Sequence, residues 1–339
     1  MRGILHQPIC DILGCDYPVL QAGMGGVARA ELAAAVSGAG GFGCLGMVRE
    51  PCDLIRREIA EVRHRTDRAF GVNLIPAATD PDLFTEQLKT CKDEGIETLV
   101  FFWDVMPEAV AHANDLGMQV LYQVGSVDQA CAAEAAGAVA VIAQGVEAGG
   151  HVHGTVSSLV LVQQVAAATD LPVIASGGFA TGRSLVAAMA LGAQGIHCGT
   201  AFLATTESFA HDLHKQRVVQ AASDETVHTD AFVINWPKGA AVRVLRSEVT
   251  NLLGDRLFAH DPNTIPRHQI ADEEGKPIYR WSTDSPLRSM QGDLDQLALF
   301  AGQCAGSVHS IRPAKEILQS ILDEAHACIE RNGMGTKLS

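Results

Sequence analysis

A histidine at position 151 follows a glycine pair in the segment Gln144-Gly-Val-Glu-Ala-Gly-Gly-His-Val-His-Gly154. The pair, Gly149 and Gly150, gives the backbone freedom to turn and to hold the imidazole at the end of a predicted strand. An imidazole titrates near neutral pH, so it can remove a proton from a substrate carbon. We predict that His151 is the catalytic residue, the alternative being a histidine that only packs the loop.

Two other ionisable residues of this segment have less specific roles. His153 is the second candidate for catalysis, and Glu147 either orients the loop or is a solvated loop charge. The two histidines do not predict a metal site, because no further ligands stand at a suitable spacing.

Glycines also end two later strands, in Ala175-Ser-Gly-Gly-Phe179 and His197-Cys-Gly-Thr-Ala201. Backbone N–H groups of such turns, with a helix N-terminus behind them, bind phosphate groups. The hydroxyls of Ser176 and Thr200 would add donors. The two turns predict a cradle for a cofactor phosphate, unless the glycines merely pack helix against strand. The sequence has no G-x-x-x-x-G-K-[ST] motif, so it does not predict hydrolysis of nucleoside triphosphates.

Neutral amides and a third glycine turn complete this group of residues. Asn73 and Gln123 end two further strands, and an amide both donates and accepts, as the edge of a flavin requires. The first strand ends in Gln21-Ala-Gly-Met-Gly-Gly26, where the backbone can approach a flat ligand closely. Structural amides and an ordinary tight turn are the alternatives.

All these residues stand where short apolar runs end. Each run is followed by a helical pattern, and most runs are continuously apolar, as strands buried on both faces of a parallel sheet are. The runs cover residues 18–21, 41–44, 70–74, 98–102, 119–123, 138–142, 172–176 and 195–199. Eight strand–helix units predict an α/β fold of the (β/α)8 TIM-barrel type, whose active sites lie where the strands end. A doubly wound open sheet is the alternative.

The strand–helix rhythm stops near Thr205. We predict a cofactor-binding barrel over residues 1–205 and a smaller, mainly helical domain over 206–287 that covers the barrel mouth. C-terminal helices over 288–339, with helical periodicity in 294–305 and 313–331, are expected to pack back on the barrel. The cover is expected to lie over the cofactor and to limit substrate size.

The composition restricts the partners of this chain of 339 residues. The 25 Lys and Arg stand against 39 Asp and Glu, a formal net charge of −14, so the chain repels nucleic-acid phosphates and anionic membranes. No apolar window is long enough for a membrane span and the N-terminus lacks the apolar core of a signal peptide, which predicts a cytoplasmic location. Nine cysteines without a C-x-x-C pair indicate buried free thiols.

In their order along the chain, these motifs resemble those of the nitronate monooxygenase (2-nitropropane dioxygenase) family. The motifs are QAGMGG, the VN of the third strand, EAGGH, ASGGF and CGTAF, and the resemblance continues through Phe300-Ala-Gly-Gln-Cys304 and Arg312-Pro-Ala-Lys-Glu-Ile317. The resemblance implies an FMN-containing TIM barrel with a helical domain over its mouth. The same superfamily contains FMN-dependent enoyl-ACP reductases and NADH:quinone reductases with nearly the same motifs. The first motif departs from the Q-A-P-M-A-G typical of nitronate monooxygenases, and its second glycine is commoner in the reductases.

The resemblance also implies the roles of particular residues. His151 matches the family's catalytic histidine, the FMN would lie against the backbone of 22–24, and its phosphate would lie at the turns that contain Gly178 and Gly199. The residues expected to bind FMN are Ala22, Gly23, Met24, Asn73, Gln123, Gln144, Gly149, Gly150, Ser176, Gly177, Gly178, Cys198, Gly199 and Thr200.

The leading hypothesis is FMN-dependent oxidation of alkyl nitronates, and of neutral nitroalkanes, with O2 to carbonyl compounds and nitrite. His151 would remove the α-proton of a nitroalkane or hydrogen-bond the nitronate. The alternative is an NAD(P)H-dependent flavin reductase of quinones or enoyl thioesters. The lack of a Rossmann G-x-G-x-x-G motif weighs little against it, since barrels bind nicotinamide without that fold. A flavin-binding regulatory module without turnover is the third hypothesis, and a homodimer is the assembly we consider.

Overall fold

Eight parallel strands form the central barrel of this computed structural model, which describes residues 3–332. They are β1 (Val19–Gln21), β2 (Gly43–Gly46), β3 (Phe70–Leu74), β4 (Thr98–Phe102), β5 (Gln119–Val124), β6 (Ala140–Gln144), β8 (Val173–Ser176) and β9 (Gly195–Cys198). Their order in the sheet is β1-β9-β8-β6-β5-β4-β3-β2. The two-residue strand β7 (Gly150–His151) lies outside the barrel. The predicted TIM barrel is confirmed, and each predicted run overlaps one of its strands.

The seam between β1 and β2 is closed by few hydrogen bonds. Phe42 N donates to Val19 O at 3.0 Å, and Gln21 N donates to Phe42 O at 2.9 Å. Beyond these two bonds, the buried side-chain amide of Gln21 takes the place of backbone–backbone pairing. Its Nε2 donates to Cys44 O at 3.0 Å, and its Oε1 accepts a hydrogen bond from Cys44 N at 3.0 Å. The end of β1, which carries the first glycine turn, is thereby fixed against β2.

A short helix, α1 (Pro8–Leu13), closes the amino-terminal end of the barrel. Its Ile9 and Leu13 pack with side chains that point into the barrel, namely Leu20, Phe42, Cys44, Val100, Leu121, Ala140, Ile142 and Ile174. Ile9 N also donates to Gln194 Oε1, just before β9, at 3.0 Å. The barrel interior is therefore a packed core, as in other TIM barrels, and the opposite end of the strands is left to carry a site.

Helices surround the barrel. They are α2 (Ala30–Gly38), α3 (Cys52–Arg65), α4 (Pro81–Asp93), α5 (Pro107–Asp115), α6 (Val127–Ala135), α7 (Ser158–Ala168), α8 (Gly182–Ala190) and the short α9 (Thr200–Leu203), with a 3₁₀ turn at Pro76–Ala78. Local signals explain their ends: Asp80 Oδ1 accepts hydrogen bonds from Asp82 N and Leu83 N at 3.1 and 3.2 Å and so caps α4. Ser126 caps α6 in the same way through Gln129 N at 3.2 Å.

The segment 206–287 is a mixed α/β cover, so the prediction of a mainly helical domain is wrong in this respect. It contains α10 (Asp212–Gln220), β10 (Thr226–Thr229), β11 (Val242–Leu245), α11 (Glu248–Asn251), β12 (Gln269–Glu273) and β13 (Lys276–Tyr279). One sheet joins β10, β11 and β7, and a second joins β13, β12 and β14 (Met290–Gly292). Strands of three to five residues, some paired across long stretches of chain, leave little periodic signal in the sequence.

Of the two C-terminal stretches predicted to be helical, 294–305 and 313–331, the second forms an α-helix. Helix α12 (Ala314–Arg331) packs on α8 and α2, where it completes the ring that the short α9 leaves open. The stretch 294–305 forms 3₁₀ turns at Leu294–Gln296 and Gln303–Ser307 and runs extended between them, because it pairs with β11 through Leu245 N and Leu299 O at 2.8 Å. The predicted segments include residues 1–2 and 333–339, which lie outside the described residues. Between residues 3 and 332, no helix has the length and apolar character needed to cross a membrane.

Candidate active site

A cavity of about 660 Å³ opens at the carboxyl-terminal ends of the barrel strands. The structure brings nearly all of the predicted site residues to its wall: Ala22, Gly23, Met24, Asn73, Gln123, Gln144, Gly149, Gly150, His151, Ser176, Gly177, Gly178, Gly199 and Thr200. The cover contributes Phe209, Trp236, Asp284 and Ser285 among others, as expected of a segment that lies over the barrel mouth. Cys198 does not line the cavity, because its side chain belongs to the core between the barrel and its helices.

The side-chain amides of Asn73 and Gln123 have polar atoms without a partner among residues 3–332, whereas the amide of Gln144 is hydrogen-bonded to the loop that carries His151. Asn73 Nδ2 donates to Val100 O at 2.9 Å, which leaves its carbonyl oxygen without a partner in the described chain. The Gln123 side chain has no hydrogen bond to any described residue. Gln144 Nε2 instead donates to His151 O at 3.0 Å. Asn73 and Gln123 can therefore bind a ligand, whereas Gln144 holds the loop of the catalytic candidate.

The glycine turn after β8 has the backbone of a phosphate cradle. Gly177 and Gly178 have φ angles of +90° and +85°, which side chains of L-residues rarely allow. A Cβ on Gly177 would lie 2.7 Å from Gly145 O, whereas a Cβ on Gly178 would meet no atom closer than Glu147 Cβ at 3.7 Å. The residues of this turn and Gly199 line the same cavity, and the backbone of Gly178 also hydrogen-bonds the Cys304 thiol there. The geometry fits an anionic group at this position.

The hydroxyls predicted to assist the cradle have partners elsewhere. Thr200 Oγ1 accepts a hydrogen bond from Gly302 N at 2.9 Å, and its hydroxyl also hydrogen-bonds the Cys304 side chain. Ser176 Oγ bonds His197 Nδ1 at 3.1 Å inside the barrel mouth. Ser176 therefore orients a histidine in this structure.

That histidine, His197, is a cavity residue that our sequence analysis did not single out. It lines the cavity, and its Nε2 is buried without a hydrogen-bond partner. Burial lowers the pKa of His197 to about 4, so the ring is neutral at pH 7. If Ser176 donates to Nδ1, Nε2 carries the ring hydrogen and can donate to a ligand. The alternation along β9, in which Ile196 packs against the helices, is the signal that could have identified it.

His151 is positioned jointly by the barrel and the cover. Its strand β7 pairs with β11, where His151 is the partner of Val242, and Val152 N donates to Ala241 O at 2.9 Å. Arg243 on β11 donates to Val146 O through Nη2 at 2.8 Å. The antiparallel sheet of the cover therefore holds the loop that follows β6 in place. The strand–helix pattern of the barrel does not predict this contact.

The surroundings of His151 are aromatic. Its ring stacks on Trp236 with centroids 3.7 Å apart and an angle of 24°, and it lies near Trp103 and Phe300 at 6.0 and 5.8 Å. Burial, with a smaller effect of Arg49, lowers the pKa of His151 to about 3. The near-neutral titration expected from the sequence is therefore not found here. The imidazole is neutral at pH 7 and free to accept or donate a proton, but it is a weak base until a ligand changes its surroundings.

The other two ionisable residues of this loop have structural contacts. His153 Nε2 lies 2.9 Å from Asp104 Oδ1, and its ring packs on Trp103 at 4.6 Å. Glu147 accepts hydrogen bonds from Ser158 N and Ser158 Oγ, both at 2.9 Å to Oε2. Neither residue lines the cavity. Glu147 thus orients the loop, the first of its two predicted roles, and His153 supports an aromatic wall.

Comparison with known proteins agrees with the fold and the site. The sequence model of the family described as nitronate monooxygenase matches residues 6–324. A nitronate monooxygenase of Paraburkholderia phytofirmans is 30% identical, with 96% of each chain covered. A (3aS,4S,5R,7aS)-5-hydroxy-7a-methyl-1-oxo-octahydro-1H-indene-4-carboxyl-CoA dehydrogenase of Mycobacterium tuberculosis is 33% identical over 95% of this chain and 96% of its own.

A solved structure named FabK, from Thermotoga maritima, is similar over 96% of this chain and 98% of its own, with a TM-score of 0.81 and 32% identity. Monooxygenases and dehydrogenases are oxidoreductases, and this chain is an enzyme of that class. It belongs to the nitronate monooxygenase family.

Proposed function

We propose that this oxidoreductase binds FMN in the cavity and oxidises alkyl nitronates with O2 to carbonyl compounds and nitrite. One observation carries the proposal: the glycine cradle and His151, whose buried Nε2 has no hydrogen-bond partner in the described chain, line the same cavity. A cofactor anchored by its phosphate at the cradle would thus lie within reach of a group that can move a proton. The family and the nitronate monooxygenase relative support the choice of substrate.

The residues of the cavity fit a flavin mononucleotide. The turns at Gly178 and Gly199 would hold its single phosphate, and Asn73 and Gln123 would bond its polar edges. His197 would donate a hydrogen bond through Nε2, which has no partner in the described chain. When bound, FMN supplies the electron transfer from the substrate to O2.

His151 would serve the two forms of the substrate through its two tautomers. With Nε2 unprotonated it can accept the α-proton of a neutral nitroalkane, and with Nε2 protonated it can donate to the oxygen of a nitronate. The aromatic rings around it exclude water from that step.

An NAD(P)H-dependent reduction of quinones or enoyl thioesters is the second candidate. The cavity continues outward past Arg57 and Lys276 to the β12–β13 hairpin, which leaves room for a longer substrate, and one relative is named a carboxyl-CoA dehydrogenase. Most arginines of this outer part already have acidic partners, among them Arg65 with Glu61 at 2.7 Å and Arg288 with Glu31 at 3.3 Å. They are therefore poorly suited to bind the phosphates of a CoA carrier, and we favour the nitronate.

Two measurements on the purified holoenzyme test the proposal. Mass spectrometry of the cofactor released by heat should show FMN, and FAD or no flavin would contradict the assignment. Oxygen uptake with propyl-2-nitronate should exceed NADH or NADPH oxidation with a quinone or an enoyl-CoA. The opposite ratio would establish the reductase in its place.

The cellular location and the assembly also stay proposals. Nine free cysteines, of which five are buried and Cys131 is exposed, suit the reducing cytoplasm that we propose. A homodimer is proposed for the assembly, and light scattering of the purified protein tests it.

A further inference from the structure

Two ring nitrogens of residues that line the cavity are buried without a hydrogen-bond partner in the described chain. They are His151 Nε2 and Trp236 Nε1, and both rings line the cavity. The two rings stack with centroids 3.7 Å apart, so the nitrogens belong to one small region. Because an indole N–H can only donate, leaving it buried and unpaired costs free energy that an acceptor on the ligand would restore.

A positive charge lies beside these two rings. The guanidinium carbon of Arg49 is 5.2 Å from the centroid of the Trp236 ring, and Arg49 Nη1 donates to Asn235 O. The ion pairs found among residues 3–332 do not include Arg49, although Asp284 and Glu50 act on it from longer range. Its neighbour Arg29, by contrast, is paired with Glu50 at 3.1 Å. Arg49 is thus a cation of the cavity mouth that can take a ligand as its partner.

The backbone around these rings is strained. Arg49, Trp103 and Asn235 have φ angles of 57°, 80° and 72°, in the left-handed region that non-glycine residues rarely enter. All three contact or adjoin the His151–Trp236 stack. Such residues persist where the surrounding structure over-determines them, and they gather at ligand clamps. The strain is independent of the unpaired nitrogens and points to the same place.

We propose that Trp236, His151 and Arg49 form a receptor for a planar oxyanion, which in the reaction proposed above is the nitronate group of the substrate. Trp236 Nε1 donates to one oxygen, His151 Nε2 donates in the matching tautomer, and Arg49 supplies the opposite charge. The receptor makes and breaks no covalent bond. It distinguishes a nitronate from a neutral nitroalkane or a thioester carbonyl, which gain less from Arg49.

Binding can be measured without turnover, because the chain has three tryptophans and therefore three indole N–H resonances. In the holoenzyme labelled with ¹⁵N-tryptophan, we titrate propanoate as the anion and propanamide as its neutral counterpart. Propanoate should shift one resonance to saturation, and the variant W236F should lack that resonance. Trp281, which does not line the cavity, is the internal reference. A shift of equal size with propanamide, or no saturable shift of the Trp236 resonance, would refute the receptor.

Kinetics test the same groups in turn. W236F keeps an aromatic ring but loses the donor, and it should raise KM for a nitronate about tenfold or more, the worth of one hydrogen bond to a charged group. R49M should raise KM similarly, R49K should recover part of the loss, and kcat should change less than KM in all three. W281F changes a tryptophan that packs on Phe232 outside the cavity, and it should behave as the wild type.

The outcomes separate the receptor from the proposed function. If the enzyme oxidises no nitronate but propanoate still shifts the Trp236 resonance, the receptor stands and the proposed function falls. If nitronates are oxidised and W236F and R49M both keep the wild-type KM, the proposed function stands and the receptor falls.

Discussion

At the scale of single residues, neighbours decide which of two similar side chains can act. His151 and His153 are two positions apart, yet the Nε2 of His151 is unpaired on the cavity wall and the Nε2 of His153 lies 2.9 Å from Asp104. Ser176 shows the same effect, because its hydroxyl was predicted to bind a phosphate and instead bonds His197 Nδ1. The type of a residue therefore does not establish its role until the hydrogen-bond partner of each of its polar atoms is known.

Replacement of His151 tests proton transfer. His151→Asn should keep the flavin bound, because His151 is not part of the glycine cradle. Turnover of neutral nitroalkanes should fall by about two to four powers of ten, the usual worth of general-base catalysis. Oxidation of preformed nitronates should fall less, because they need no base.

The measurement is steady-state oxygen uptake with both substrate forms at one pH. His153→Asn is the contrasting variant, since it changes the contacts of His153 with Asp104 and Trp103 and should affect both forms alike. Equal losses on the two forms in His151→Asn would remove the base role and leave the fold and the cofactor site in place.

At the scale of elements, glycine turns serve two physical purposes. Gly178 has a left-handed φ and open space before it, as a turn that faces a ligand requires. Gly23 is different, because a Cβ there would lie 2.3 Å from Asn73 Cβ, so the glycine lets the loop after β1 pack on β3. The two look alike in sequence, although the structure shows close packing only at Gly23, and the ligand contact at Gly178 is our proposal.

Gly178→Val should therefore reduce flavin occupancy while the barrel stays folded. A branched side chain disfavours the φ of +85° and puts atoms where the cofactor phosphate is proposed. The measurement is the ratio of flavin absorbance to protein, with circular dichroism as the check on folding. Gly275→Val is the matched control variant. Gly275 has a φ of +86°, a Cβ added there would meet no atom within 4 Å, and the residue lies in a hairpin turn away from the cradle. Full flavin content in Gly178→Val would contradict this role.

At the scale of the whole molecule, the fold buries two neutral imidazoles, His197 on the cavity wall and His214 outside it. Burial lowers the pKa of His197 and of His214 to about 4, and His214 Nε2 lies 3.0 Å from Phe300 O. In the unfolded chain a histidine has a pKa near 6.5. Below that pH the unfolded state binds protons that the folded state excludes, so stability falls as the pH decreases from about 6.5 towards 4.

The free energy of unfolding should therefore be lower at pH 5 than at pH 7.5, by about 2 kcal/mol for each of these two histidines. Urea unfolding at several pH values measures it. His214→Asn should make the dependence on pH shallower between pH 6.5 and 5, whatever its effect on stability at pH 7.5. His64→Asn, which changes an exposed histidine of α3, should leave the dependence unchanged. An unaltered slope in His214→Asn would show that this residue titrates normally in the folded state.

The barrel, its eight strands and the positions of the glycine turns could be predicted from the amino-acid sequence. These features are encoded locally: a strand buried on both faces must be apolar throughout, and a left-handed turn needs glycine. Nearly all of the site residues that the sequence predicted lie on the cavity wall, because residues that end parallel strands meet at one end of a barrel.

The surroundings of those residues could not be predicted in this way, because they form only when the chain folds. The pairing of β7 with β11, the stacking of Trp236 on His151 and the place of α12 beside α8 all join residues far apart in the chain. The same holds for the mixed cover, for the exclusion of Cys198 from the cavity and for the lowered pKa of His151. Each depends on burial and contact across the fold, and neither quantity exists until distant segments have packed together.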